Sequence, residues 1–175
     1  MNFRLLSEAD KIIFEKEMIE MLIESDKDFV PPLSSRASTL DKGFSDEANS
    51  EGVLSYFREM RKQQILAAFD EGEFIGFVSY RENFISEEIP EDELPNIYVS
   101  TLVLSKKSRG KGVTKKMYSY LFDELYSDRN IFTRTWSTNI AHTKILSSFA
   151  FSEIKRKIND RGEGIDTVYY KRNRK

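Results

Sequence analysis

Two glycines one residue apart, Gly110 and Gly112, stand in the stretch SKKSRGKGVTKKM, Ser105–Met117, among Lys106, Lys107, Arg109 and Lys111. The residues before it, Thr101–Leu104, read as a strand, and Val113, Met117, Leu121 and Leu125 recur at helical spacing. The glycines therefore fall where a strand enters a helix. At such a turn successive backbone N–H groups point outward together, the helix dipole adds partial positive charge, and the absent side chains let a phosphate approach. The surrounding cations add formal charge, so the turn suits a pyrophosphate or similar polyanion. The same residues also suit a plain helix start with solvated lysines. The spacing excludes the two usual nucleotide motifs: there is no GxxxxGK[ST], and no third glycine completes GxGxxG.

Composition narrows the chemistry further. The chain has no cysteine, which removes thiol nucleophiles, zinc-thiolate sites and disulfides. Its one histidine, His142, rules out a multi-histidine metal centre, and no metal site is expected. A net charge of −2 and a pI near 5.6 lack the basic excess of a general nucleic-acid binder. At 175 residues, 39% of them apolar, one compact domain over 1–175 is expected. The N-terminal MNFRLLSEADK has no long apolar run, so neither a signal peptide nor a membrane span is expected, and the cytoplasm is the simplest location.

The elements that must position the turn can be read in order. FRLL (Phe3–Leu6) is a short strand, and Ser7 with Asp10 forms a capping pair for a first helix to about Glu24, carrying Ile12, Ile13, Ile19, Leu22 and Ile23. SDKDFVPPLSSRASTLDKGFSDEANS reads as a long loop, and Val53, Leu54, Phe57 and Met60 as a short amphipathic helix. QILAAFDEGEFIGFVSYREN is a hairpin turning at Asp-Glu-Gly, and the acidic SEEIPEDELP leads to the strand NIYVSTLVL. After the glycine turn come its helix and the strand NIFTRTW, a βαβ unit with parallel strands. A helix over Asn139–Phe149 and strands over Phe151–Ile158 and Thr167–Lys171 end the chain.

This order, with KSRGKG (Lys107–Gly112) after LVLSK and NIAHTKILSSFAF (Asn139–Phe151) further on, resembles the GNAT superfamily of acyl-CoA-dependent N-acyltransferases over nearly the whole chain. In the family's acyl-CoA motif, Gln or Arg, two residues, Gly, one residue, Gly or Ala, Lys107 takes the first place and keeps the charge. The resemblance implies an α/β GNAT fold: a mixed, mostly antiparallel sheet of six to seven strands with about four helices, and a splayed parallel strand pair that binds CoA. It implies acetyl-CoA as donor, with Leu102, Val103, Leu104, Lys107, Ser108, Arg109, Gly110, Lys111, Gly112 and Val113 at the cofactor and Asn139 on its pantetheine arm. Ala150 stands where the family usually has Gly, and Leu146 where it often has a Tyr general acid.

The mechanism implied is direct attack of a primary amine on the thioester, without a covalent enzyme intermediate. Backbone N–H groups of Val103 or Leu104 would polarise the carbonyl. A base must take the amine's proton, and the family's position for a carboxylate corresponds to Tyr98, with Asn96 and Ser100 on the same strand face; none is a carboxylate, so a water chain is the substitute. His142, one turn beyond Asn139, is the other candidate for proton transfer, or a surface histidine. DFVPPLSSR places Phe29 and Arg36 where the superfamily shapes its acceptor pocket, and NDRGEG (Asn159–Gly164) is a hairpin turn or another wall of it. The acceptor is a small-molecule or peptide amine, with no nucleic acid and no membrane, and a homodimer is left open. Two other readings stand beside this one: a CoA-binding protein with little catalysis, and a nucleic-acid or partner-binding module that uses the basic turn.

Overall fold

The computed structural model describes residues 1–36 and 50–175. The part of the expected long loop over 37–49 lies outside the described residues. Seven strands form one mostly antiparallel sheet in the order β1-β2-β3-β4-β5-β7-β6. They are β1 (Asn2–Leu5), β2 (Gln64–Asp70), β3 (Glu73–Glu82), β4 (Asn96–Leu104), β5 (Asn130–Trp136), β6 (Ser152–Lys157) and β7 (Thr167–Arg172). The α-helices among the described residues are α1 (Glu8–Ile13), α2 (Glu15–Ser25), α3 (Ser50–Met60), α4 (Val113–Ser119) and α5 (Ile140–Ser148). The chain divides into two compact units, one of Met1–Tyr80 with Ser100–Tyr120 and one of Arg81–Val99 with Leu121–Lys175.

In the first unit the expected capping pair is present: Asp10 N donates to Ser7 Oγ at 3.1 Å and Ser7 N to Asp10 Oδ2 at 3.0 Å. The expected single helix is two, α1 and α2, broken at Phe14 (φ −98°, ψ 14°). The Phe14 ring packs 5.2 Å from that of Phe74 and 5.3 Å from that of Phe69. Seating this ring resets the helical register, so Met18, Met21 and Leu22 form the buried stripe, while Ile12 and Ile13, expected inside, are 65% and 66% exposed. Ile23 is exposed as well.

The core of this unit joins Met18, Leu22, Leu33, Met60, Ile65 and Phe77. Each such side chain contributes about 2 kcal/mol by leaving water. Tyr56 is buried with them, and its hydroxyl is satisfied by Thr101 Oγ1 at 2.6 Å. The β2–β3 hairpin turns through Glu71 (φ 50°) and Gly72 (φ 85°), which with Asp70 opposite Glu73 is the two-residue turn foreseen at Asp-Glu-Gly.

In the second unit Asn96–Val99 of β4 runs parallel to Asn130–Thr133 of β5, the expected parallel pair. β7 lies between β5 and β6, antiparallel to both. The helix of α4 continues from Tyr120 as a π-helical turn to Leu125. Phe122, from that turn, sets its ring 5.8 Å from Phe149 and 5.5 Å from Phe151, and Leu146, Ile131 and Val168 of this unit are buried as well. No described helix is long and apolar enough to cross a membrane.

Candidate active site

The turn between β4 and α4 is built from its glycines. Gly110 and Gly112 both adopt left-handed backbone, φ 73° and 74°, a conformation that side chains rarely tolerate. A Cβ at either would meet nothing of the protein within 4 Å, so the space in front of them is open. Lys116 N donates to Gly112 O at 3.2 Å, the first bond of the helix. The first N–H groups of α4 have no partner within the helix, as at any helix start, and the two glycines leave them approachable. Such a run of outward donors at a helix start is chemically an anion cradle.

The cations expected around this cradle have divided roles. Arg109 is turned inward: its Nε donates to Leu104 O (3.2 Å), and its terminal nitrogens reach Asp28 Oδ2 (2.7 Å) and Ser25 Oγ (2.8 Å). It ties the end of α2 to the end of β4. Lys107 pairs with Glu73, and Lys106 lies 3.8 Å from Glu24, both exposed pairs of the kind that yield readily to a stronger anion. Ser108 is buried and accepts from Ser105 Oγ at 2.9 Å, which fixes the turn. Lys111 is exposed and makes no ion pair among the described residues.

The strand end that leads into the turn is gripped from β3. A Cβ at Gly76 would lie 2.7 Å from Val103 O and 2.4 Å from Leu104 Cδ2, so only glycine permits this approach. Ser105 N donates to Ile75 O at 3.0 Å on the same side. Backbone groups of one residue share a side of a strand. Val103 and Ser105 thus face β3, and the amide of Leu104 faces away from it. Leu102 is half-buried, Val103 and Leu104 are buried, and Val113 begins α4 inside the core. The hydroxyl of Ser100, two residues along β4 from Tyr98, is buried with no partner among the described residues, which carries an energetic cost.

In the second unit Asn139 caps α5: its Oδ1 accepts from His142 N at 3.2 Å, and its Nδ2 donates to Thr135 Oγ1 at 3.0 Å. Leu146 is fully buried, packed in the interior rather than at a solvent-reaching slot. Its carbonyl accepts from Phe151 N and that of Ser147 from Ala150 N, both at 3.2 Å, which is a Schellman ending with Ala150 in the left-handed position at φ 59°. The backbone thus keeps the conformation for which the family's usual glycine is suited. Ala150→Gly is expected to raise stability by about 0.5–1 kcal/mol, the relief of strain exceeding the added freedom of the unfolded chain. Thermal unfolding reads this as a higher Tm, and a lower one would contradict it.

His142 is half-buried, and desolvation pushes its imidazole down to about 4. It is neutral at pH 7 and a weak base. Because the folded pKa lies below the unfolded value near 6.5, its contribution to stability is complete above pH ~6.5 and is lost as pH falls towards 4. The loss amounts to up to about 3 kcal/mol. His142→Gln is expected to flatten the stability curve over that interval in urea titrations at pH 7 and pH 5. An unchanged slope would assign the acid sensitivity to other groups.

Tyr98 is buried, its ring 4.7 Å from Phe84. Asn96, on the same face, clasps the backbone of Phe84, accepting from its N–H at 2.9 Å and donating to its carbonyl at 3.0 Å. Asn96 is thus occupied in holding the chain. Arg36 folds back on its own loop in the first unit: Nε and a terminal nitrogen donate to Pro31 O (3.1 and 2.8 Å), and its guanidinium lies 5.4 Å from the Phe29 ring centroid. Phe29 and Arg36, singled out separately, form one stacked pair.

Residues 27–146 match the model of the Acetyltransferase (GNAT) family. The fold is shared with a ribosomal-protein-alanine N-acetyltransferase from Brucella melitensis, with 14% identity over 99% of each chain and a TM-score of 0.66. It is shared with yncA of Salmonella typhimurium, an acetyltransferase by assignment, solved with its cofactor acetyl-CoA, with 14% identity over 99% of this chain and 93% of that one and a TM-score of 0.64. A Bacillus anthracis structure assigned as a streptothricin acetyltransferase, in complex with acetyl coenzyme A, is 18% identical over 65% of this chain and 63% of that one, with a TM-score of 0.52. At these identities the likeness speaks for the fold. No curated protein matches the chain. The family match spans more than half of the chain, including the glycine turn, β4 and β5, and the chain belongs to the GNAT acetyltransferase family.

Proposed function

We propose that the protein transfers an acetyl group from acetyl-CoA to a primary amine. The observation that carries this reading is the start of α4, opened by two left-handed glycines, Gly110 and Gly112, with free space before them. That arrangement fits the pyrophosphate of CoA, and two of the similar structures hold acetyl-CoA. Lys111 supplies charge there at once, and Lys106 and Lys107 can exchange their exposed carboxylates for phosphate. Arg109 holds the turn against α2 rather than the ligand.

Acetyl-CoA, when bound, supplies a thioester-activated acetyl group. The chain supplies backbone donors and position. Of the two amides considered, we assign that of Leu104 to the acyl carbonyl, because Val103 faces β3 and Leu104 does not. An alkylammonium with a pKa near 10 must lose its proton before it attacks, and His142, at about 4, is far too weak to remove it. We assign that role to a water chain, to which the unpartnered hydroxyl of Ser100 is suited. Asn139 remains our choice for the pantetheine arm.

Calorimetric titration with acetyl-CoA, followed by an amine screen for CoA release, tests this. Binding with turnover supports it, and no binding removes it. Binding without turnover would favour the second reading, a CoA-binding protein with little catalysis, for which the burial of Leu146 at the usual acid position is the supporting observation.

A further inference from the structure

The end of α2 carries charge of the wrong sign for a helix terminus. Glu24 lies in its last turn, Asp26 caps it, and Asp28 ends the short 3-10 turn that follows, with no cation in the last turn of α2 to balance them. The negative end of the helix dipole disfavours each of these carboxylates. Each is instead committed to a partner elsewhere in the first unit. Glu24 accepts from the backbone N–H of Lys106 at 3.3 Å and lies 3.8 Å from its Nζ. Asp26 holds the N–H and the hydroxyl of Ser34. Asp28 accepts from a terminal nitrogen of Arg109 at 2.7 Å. Glu24 and Asp28 therefore both serve the connection between β4 and α4.

The side chains of Asp28 and Arg109 are 52% and 38% exposed, so their pair is of the kind that contributes little to stability. What it does fix is direction. The planar fork of Arg109 spans Asp28 Oδ2, Ser25 Oγ at 2.8 Å and, through Nε, the carbonyl of Leu104 at 3.2 Å. Ser25 and Leu104 are both buried. In an extended strand the carbonyl and the amide of one residue lie on one side, which for Leu104 is the side away from β3. A clamp on its carbonyl thus also orients its amide, the donor given to the acyl carbonyl. We propose that Asp28, acting through Arg109, is a positioning residue for acyl transfer: it holds the end of β4 so that the Leu104 amide meets the thioester. This rests on the acetyltransferase reading above.

Steady-state kinetics on folded variants tests this. Asp28→Ala is expected to lower kcat about tenfold or more, as a small misplacement of the donor would, while KM for acetyl-CoA changes by less than about threefold. Asp28→Glu, which keeps the carboxylate, should recover most of the loss. Asp28→Asn, which keeps an acceptor without the charge, should lie between, and it carries the test where the alanine variant does not fold. Arg109→Lys should cost as much as Asp28→Ala, because an ammonium cannot span the same acceptors. The double variant should be no worse than the poorer single one, since the two residues act as a unit. A wild-type kcat in Asp28→Ala, a loss confined to KM, or losses that multiply in the double variant would overturn the proposal and leave the acetyltransferase reading standing. If the wild type releases CoA to no amine, the acetyltransferase reading fails instead. The clamp is then decided by amide exchange. The N–H of Ser105, which donates to Ile75 O at 3.0 Å, should exchange faster by about tenfold or more in Asp28→Ala, while that of Leu6, which donates to Ile65 O at 2.9 Å, keeps its rate. An unchanged rate at Ser105 overturns the clamp.

Discussion

Gly110→Glu and Gly112→Glu are each expected to abolish acetyl-CoA binding while the protein stays folded. Both glycines have φ near +73°, where a side chain costs about 1–2 kcal/mol per residue, well within the 5–15 kcal/mol stability of an ordinary domain. A Cβ at either position touches nothing of the protein within 4 Å, so no packing clash adds to that cost. What the new side chain does occupy is the approach to the backbone donors at the start of α4, and its carboxylate repels the phosphates those donors would bind. Affinity should fall by at least about a hundredfold, some 2.7 kcal/mol. Gly110→Ala, which adds a methyl and strain but no charge, should fall in between. Calorimetry on folded variants measures this series, and a glutamate variant that binds like the wild type would place the polyanion elsewhere.

Gly52→Ala is expected to lose about 3 kcal/mol of stability, although the same exchange in an exposed helix gains about 1 kcal/mol. Gly52 lies in α3, and a Cβ there would stand 1.9 Å from Ser34 O and 2.7 Å from its carbonyl carbon. The carbonyl cannot step aside, because Ser34 is pinned twice to Asp26: its N–H donates to Oδ1 at 2.7 Å and its hydroxyl to Oδ2 at 2.9 Å. The methyl must therefore push α3 away from the turn Leu33–Ser35 and loosen the fully buried Leu33. Urea unfolding checks the sign: a midpoint above that of the wild type would mean that helix and turn do not meet as closely as described. The clasp between Ser34 and Asp26 predicts a further consequence within this series. In an Asp26→Ala background the clash should soften, so that Gly52→Ala costs less there than in the wild type.

The glycine turn, the parallel β4–β5 pair, the Ser7 cap and the hairpin at Glu71–Gly72 were all legible in the sequence. The turn, the cap and the hairpin are matters of near neighbours: a residue that tolerates positive φ, a short polar side chain three residues from its N–H, or alternation along a strand. The parallel pair follows from the order strand, turn, helix, strand, which closes as one crossover unit. The first helix was misread for the opposite reason. Ile12, Ile13 and Ile23 have the spacing of an inward face, but a single ring, Phe14, packs between Phe69 and Phe74 from distant strands and turns that face outward. Apolar periodicity measures what a helix could bury, and the partner surface decides what it does bury.

The candidate site divides along the same line. The sequence by itself determined that a glycine turn set among cations follows β4, that no thiol or multi-histidine chemistry is available, and that the strand face at Asn96, Tyr98 and Ser100 carries no carboxylate. Those are properties of residue type and local order. Only the tertiary structure decided that Arg109 serves Ser25 and Asp28, that Leu104 rather than Val103 turns its amide away from β3, that His142 titrates near 4, and that Arg134 lies against Tyr169. The groups in each of these pairings stand tens of residues apart or depend on what surrounds them, and desolvation and hydrogen bonding act through space, so no local stretch of sequence can encode them.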